Sequence, residues 1–78
     1  MIVRLYETPG CDLCAEAVAA LGRVGRRRRL TLERIDISAD PGLRGRYGLR
    51  VPVLAAGDDE LDAAGLADEA IARWLDQR

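Results

Sequence analysis

The 78-residue chain contains no histidine, no phenylalanine and no lysine, and only two cysteines, Cys11 and Cys14. Each absence narrows the chemistry. A zinc site takes about four ligands, and two cysteines without histidine leave only a metal shared between two copies of the chain. Three aromatic residues, Tyr6, Tyr47 and Trp74, are too few to interleave with the basic residues, and the net charge is −1. Both argue against nucleic-acid binding. No apolar run is long enough to span a bilayer, and "MIVRLY" is not a basic leader, so neither a membrane segment nor a secretory signal is expected. Two cysteines in that context point to a reducing compartment, with the cytoplasm as the expected location. Internal repeats and low-complexity linkers are also lacking, and residues 1–78 are read as one domain.

What is present is an apolar fraction of 49%. A domain of this size buries roughly 60–65% of the surface its unfolded chain exposes, so that fraction must form an efficient core. Charge is uneven: residues 1–50 carry ten arginines against six acids, and residues 51–78 two against seven.

Hydrophobic patterning predicts the order β-α-β-(short helix or turn)-β-β-α. "IVRLY" (Ile2–Tyr6) reads as a strand rich in β-branched and aromatic residues. Thr8–Gly10 is turn chemistry. Leu13, Cys14, Ala17, Val18 and Leu21 make one helical stripe, which Gly22 and Gly25 should end. "RLTLERIDI" (Arg29–Ile37) is a second strand whose apolar phase shifts between Leu32 and Ile35, as burial on both faces requires. Asp40–Gly42 is a turn, and Ser38–Arg50 a loop with one helical turn near Leu43–Tyr47. A hairpin follows, with strands at Pro52–Ala56 and Glu60–Asp62. The tail is a helix striped by Leu66, Ala70, Ile71, Trp74 and Leu75, with Trp74 in the core. A strand–helix–strand start implies a parallel pair, and the hairpin adds antiparallel strands, giving an α/β fold with a mixed four-stranded sheet. Sites in such sheets sit beyond the carboxyl ends of the parallel strands, where Cys11 falls.

Cys11–Asp12–Leu13–Cys14 therefore carries the functional reading. A thiol must ionise to attack, and the first turn of a helix aims unpaired N–H groups at a cysteine placed there. The helix end favours the thiolate by roughly 0.3–2 kcal/mol. A carboxylate ~7 Å away opposes it by about 1 kcal/mol, and both Glu7 and Asp12 stand close in sequence. A modest lowering of the Cys11 pKa is expected, with Cys11 attacking a disulfide and Cys14 resolving it. A structural disulfide and two inert core cysteines are the bland alternatives, although a four-residue loop closes too little chain to stabilise much. The run Arg26–Arg29 reads as a solvated loop, with docking of an acidic partner as the alternative. Tyr6 reads as packing, with substrate contact as the alternative.

The chain resembles the glutaredoxin branch of the thioredoxin-like superfamily over almost its whole length. The resemblance rests on "LYETPGCDLC" before an amphipathic helix, then "VPVL" about forty residues on, then a hairpin and closing helix. The Cys-Asp-Leu-Cys variant is similar to that of small bacterial glutaredoxin-like proteins. The resemblance implies a cis peptide bond before Pro52, and a Val51 backbone that pairs with an extended substrate. It also places Thr8, Pro9 and Arg50 at the substrate site. Thr8 stands where glutathione-binding relatives usually carry lysine, Arg50 where they carry threonine, and Leu61–Leu66 replaces a Gly-Gly-acid segment.

The resulting expectation is a monomeric thiol–disulfide oxidoreductase that reduces protein or small-molecule disulfides. It would need no bound cofactor and no metal, and would engage neither nucleic acid nor membrane. Glutathione or a thioredoxin-reductase-type flavoenzyme would recharge it. The rival expectation is a non-catalytic binding or redox-sensing module on the same fold.

Overall fold

A computed structural model describes residues 1–78. Its elements are β1 (Ile2–Glu7), α1 (Asp12–Val24), β2 (Thr31–Asp36), α2 (Pro41–Tyr47), β3 (Val53–Ala56), β4 (Asp59–Asp62) and α3 (Asp68–Asp76), with a 3₁₀ turn at Gly25–Arg27. The four strands form one sheet in the order β2-β1-β3-β4. β1 and β2 run parallel with Ile2 opposite Thr31, while β3 is antiparallel to β1 and to β4. No helix is long and apolar enough to cross a membrane.

Strand alternation divides the core between the two faces of the sheet. Val3 and Leu5 of β1 and Leu54 of β3 point to one face, where they pack with Ala17, Ala20 and Leu21 of α1 and Ile71, Trp74 and Leu75 of α3. Tyr6, Val53 and Ala55 point to the other face and meet Ile37 and Tyr47. The phase shift in β2 has this origin: Leu32 packs with the first cluster and Ile35 with the second. Trp74 lies in the core as its stripe predicts, and Tyr6 is packed by a parallel stack on Tyr47, ring centroids 4.0 Å apart.

Several local expectations are corrected. Gly22 does not end α1; the helix runs through it to Val24 and closes at Gly25. A Cβ at Gly25 would lie 2.7 Å from Leu30 Cδ2, so a side chain there would have to displace the end of Leu30 where the chain folds back toward β2. Arg29 is not strand: its φ of 46° is left-handed, and β2 begins at Thr31. Asp40–Pro41 is a helix start rather than a free turn. The Asp40 carboxylate accepts the Leu43 N–H at 3.1 Å and Pro41 occupies the first helical position, so α2 is a full helix over Pro41–Tyr47. Leu13 leaves the buried stripe of α1 and is 43% exposed. Within the arginine run, Arg26, Arg27 and Arg29 are exposed, but Arg28 is half-buried and pairs with Asp76, fastening the end of α1 to the end of α3.

Candidate active site

β1 delivers the chain to the site through a short turn. Gly10 takes a left-handed φ of 69°, a conformation that opposes any side chain, and Cys11 follows as the N-cap of α1. Cys11 is extended (φ −95°, ψ 107°), so its sulfur turns back over the first turn of the helix and accepts the Cys14 N–H at 3.1 Å. Its carbonyl accepts from the Ala15 N–H. The two cysteines are joined as a disulfide with Cα atoms 5.2 Å apart. Their environments differ: Cys14 is 1% exposed and packs inward, while Cys11 is half-exposed. Cys11 is therefore the more accessible of the two. No group of three or more histidine, cysteine or acidic side chains is arranged to hold a metal.

The acidic neighbours are not equivalent. Glu7 is largely buried and receives a two-pronged ion pair from Arg34 of β2, Nε–Oε2 2.7 Å and Nη2–Oε1 2.9 Å. Its charge is met by a guanidinium that lies on the same wall of the site. Glu7, Thr8, Pro9, Cys11, Asp12, Ala15 and Arg34 together line a cavity of about 280 Å³. Asp12 is exposed and makes no ion pair. Of the two carboxylates expected to oppose the thiolate, only Asp12 does so unscreened. Arg34 has no signal in its local sequence; only the register that sets β2 beside β1 brings it there.

Tyr6 of β1 pairs with Val53 of β3, so Pro52 immediately precedes the residue that faces the end of β1. The Val51–Pro52 bond is cis, as the resemblance implies, and Pro52 is fully buried with its carbonyl accepting the Ala63 N–H at 2.9 Å. Val51 is half-buried, and its N–H is already donated to Tyr47 O at 3.0 Å, which leaves its carbonyl to offer a substrate. Arg50 does not reach outward. Its guanidinium donates to Asp62 at 2.7 and 3.1 Å and to Glu60 at 3.0 Å, and it lies 5.5 Å from the Tyr47 ring centre. The Tyr47 hydroxyl donates to Glu60 at 2.7 Å. Burial and that hydrogen bond push the Tyr47 pKa up to about 12, while the Tyr47 hydroxyl and Arg50 hold Glu60 below the usual carboxylate range. The structure thus brings Thr8, Pro9 and Cys11 to one cavity. It ties Arg50 to β4 through Glu60 and Asp62, two residues whose place in the hairpin gives no sign of this role in the sequence.

Residues 2–76 match the family described as "Glutaredoxin-like domain (DUF836)". Among solved structures, the structural-genomics target protein XcR50 from X. campestris has a TM-score of 0.87 at 32% identity, with 97% of each chain covered. A glutaredoxin from Brucella melitensis gives 0.70 at 32% identity, covering 96% of this chain and 87% of that one. A mutant thioredoxin from Halobacterium salinarum NRC-1 gives 0.72 at 18% identity, covering 97% and 72%, a likeness of fold alone. No protein of curated function is significantly similar to the chain.

Proposed function

Because the chain belongs to the glutaredoxin-like family and carries its thioredoxin-like fold, we propose that it is a monomeric, cytoplasmic dithiol–disulfide oxidoreductase acting through Cys11 and Cys14. The observation that carries this reading is the placement of the half-exposed Cys11 sulfur. It caps α1, accepts the Cys14 N–H and is bonded to a buried partner. The same backbone donor that meets the sulfur now would meet the thiolate after reduction, where it is worth more because the acceptor is charged.

In the reduced protein the Cys11 thiolate attacks one sulfur of a substrate disulfide. A Cys11–substrate disulfide forms as the substrate S–S bond breaks, and the first substrate thiolate leaves and takes a proton from water. The Cys14 thiol then loses its proton and attacks the Cys11 sulfur. The Cys11–Cys14 bond forms and the second substrate thiol departs. Two electrons have passed from the protein dithiol to the substrate, and an external thiol or dithiol must return them. No bound cofactor takes part in this scheme.

The test is multiple turnover on a generic disulfide with dithiothreitol as electron donor. Cys11→Ser abolishes turnover. Cys14→Ser retains a single attack and accumulates a mixed disulfide, visible as an adduct in the intact mass. Wild-type protein that is reduced and oxidised reversibly yet never turns over would make the site a switch rather than a catalyst.

A further inference from the structure

The guanidinium lining the Cys11 cavity, Arg34, is held by Glu7 through both of its carboxylate oxygens. The guanidinium preceding the cis-proline, Arg50, is held by Asp62 and Glu60. On the same rim Asp12 has no cationic partner, and Asp36, which lines the adjoining cavity with Arg34, is met by Ser38 and by no cation. The cavity that Cys11 lines therefore holds one cation already engaged by Glu7 and one uncompensated carboxylate, Asp12, with Asp36 in the adjoining cavity. Apolar contact is what remains on offer. Leu13, inside the motif, is 43% exposed, and Leu49, in the segment leading to Pro52, is fully exposed. The Val51 carbonyl adds one acceptor for a backbone N–H.

We infer that the Cys11 site exchanges with disulfides and dithiols carried on neutral or basic, apolar-flanked polypeptide segments, and discriminates against small thiols that carry carboxylates. This inference rests on the oxidoreductase reading above. It assigns Glu60 and Asp62 a specificity role at a distance: by engaging Arg50 they withhold a cation, as Glu7 withholds Arg34, that would otherwise be free to receive a substrate carboxylate. The reductant meets the same rim, so it too is a protein dithiol rather than an anionic tripeptide.

The experiment follows oxidation of the reduced protein by glutathione disulfide and by its tetraethyl ester, read by alkylation and intact mass. Each rate is divided by that of dithiothreitol with the same disulfide, which removes differences in leaving-group chemistry. The ester is expected to react about fivefold faster or more, the size that one or two partly screened charge contacts produce. The gap should narrow at about 0.5 M salt, where the screening length falls to a few ångströms. In the E60Q/D62N variant Arg50 is released, and the acid should gain while the ester does not. If that variant does not fold, the salt dependence of the wild-type gap decides alone. Equal normalised rates, or a faster acid, overturn the inference and leave the oxidoreductase reading standing. Reaction with neither disulfide removes that reading and the inference with it.

Discussion

Glu7 shows how one side chain changes meaning when its partner is known. Alone, a carboxylate close to Cys11 raises the thiol pKa; joined to Arg34 by two short hydrogen bonds, it largely cancels against a guanidinium on the same wall. Replacing Glu7 by Gln removes the anion and keeps the cation, so the Cys11 pKa in the reduced protein should fall. Arg34→Ala removes the cation and leaves Glu7 unmatched, so it should rise. The pH dependence of iodoacetamide alkylation measures both, and a shift of the same sign in the two variants would show that the pair does not act through charge. At the same scale, Leu54 is wholly buried between β1 and the helices. Leu54→Ala should destabilise the fold by about 2–5 kcal/mol in denaturant unfolding, the range for deleting a core leucine.

α2 is the element on which the site leans without being part of it. Its last residue, Tyr47, stacks on Tyr6, donates its hydroxyl to Glu60, and accepts at its carbonyl from the N–H groups of both Arg50 and Val51. Seven residues with glycines at Gly42 and Gly45 are too few to be stable by propensity, so the helix depends on its cap and on the buried tyrosine. Asp40→Ala should lower global stability by about 1 kcal/mol. It should also accelerate amide exchange at Arg50 and Val51 ahead of the β1–β3 core. Unchanged exchange there would separate the cis-proline segment from α2.

The same element marks the limit of what the sequence discloses. β1, the Cys11 turn, α1 and the amphipathic α3 each announce themselves by a periodic stripe or a turn residue, and Val51–Pro52 by the resemblance. α2 offers two apolar positions, Leu43 and Tyr47, fewer than a helical stripe needs, and its Asp-Pro-Gly start imitates a turn. The Arg34–Glu7 and Arg50–Asp62 pairs are joined across 27 and 12 residues respectively, by strand register and by the cis-proline corner. No local pattern encodes such pairs. The cysteines are therefore legible in the sequence, and the ion pairs around them are not.

For the molecule as a whole, those charges set how stability depends on pH. Asp36, Glu60, Asp68 and Asp76 are all held below their ordinary values, by the Ser38 backbone N–H, by the Tyr47 hydroxyl and Arg50, by Arg23 and by Arg28 respectively. A carboxyl with a depressed pKa binds its proton more weakly when folded than when unfolded. Its contribution is complete above the ordinary values of 3.8 for aspartate and 4.5 for glutamate. It is lost as pH falls through the depressed values. Tyr47 works in the opposite sense. Its folded pKa of about 12 exceeds its ordinary 10.0, so the unfolded chain releases this proton first. The Tyr47 contribution is complete below pH 10.0 and is lost as pH rises toward about 12. With no histidine in the chain and both cysteines in a disulfide, none of these shifted groups titrates in the neutral range. The oxidised protein should give a flat plateau of unfolding free energy from about pH 6 to about pH 9, with an acid limb that four carboxyls share. Tyr47→Phe should flatten the alkaline limb while leaving the acid one in place, apart from the part Glu60 supplies. Urea unfolding at a series of pH values separates the two limbs, and an alkaline limb of undiminished slope in Tyr47→Phe would assign it to another group.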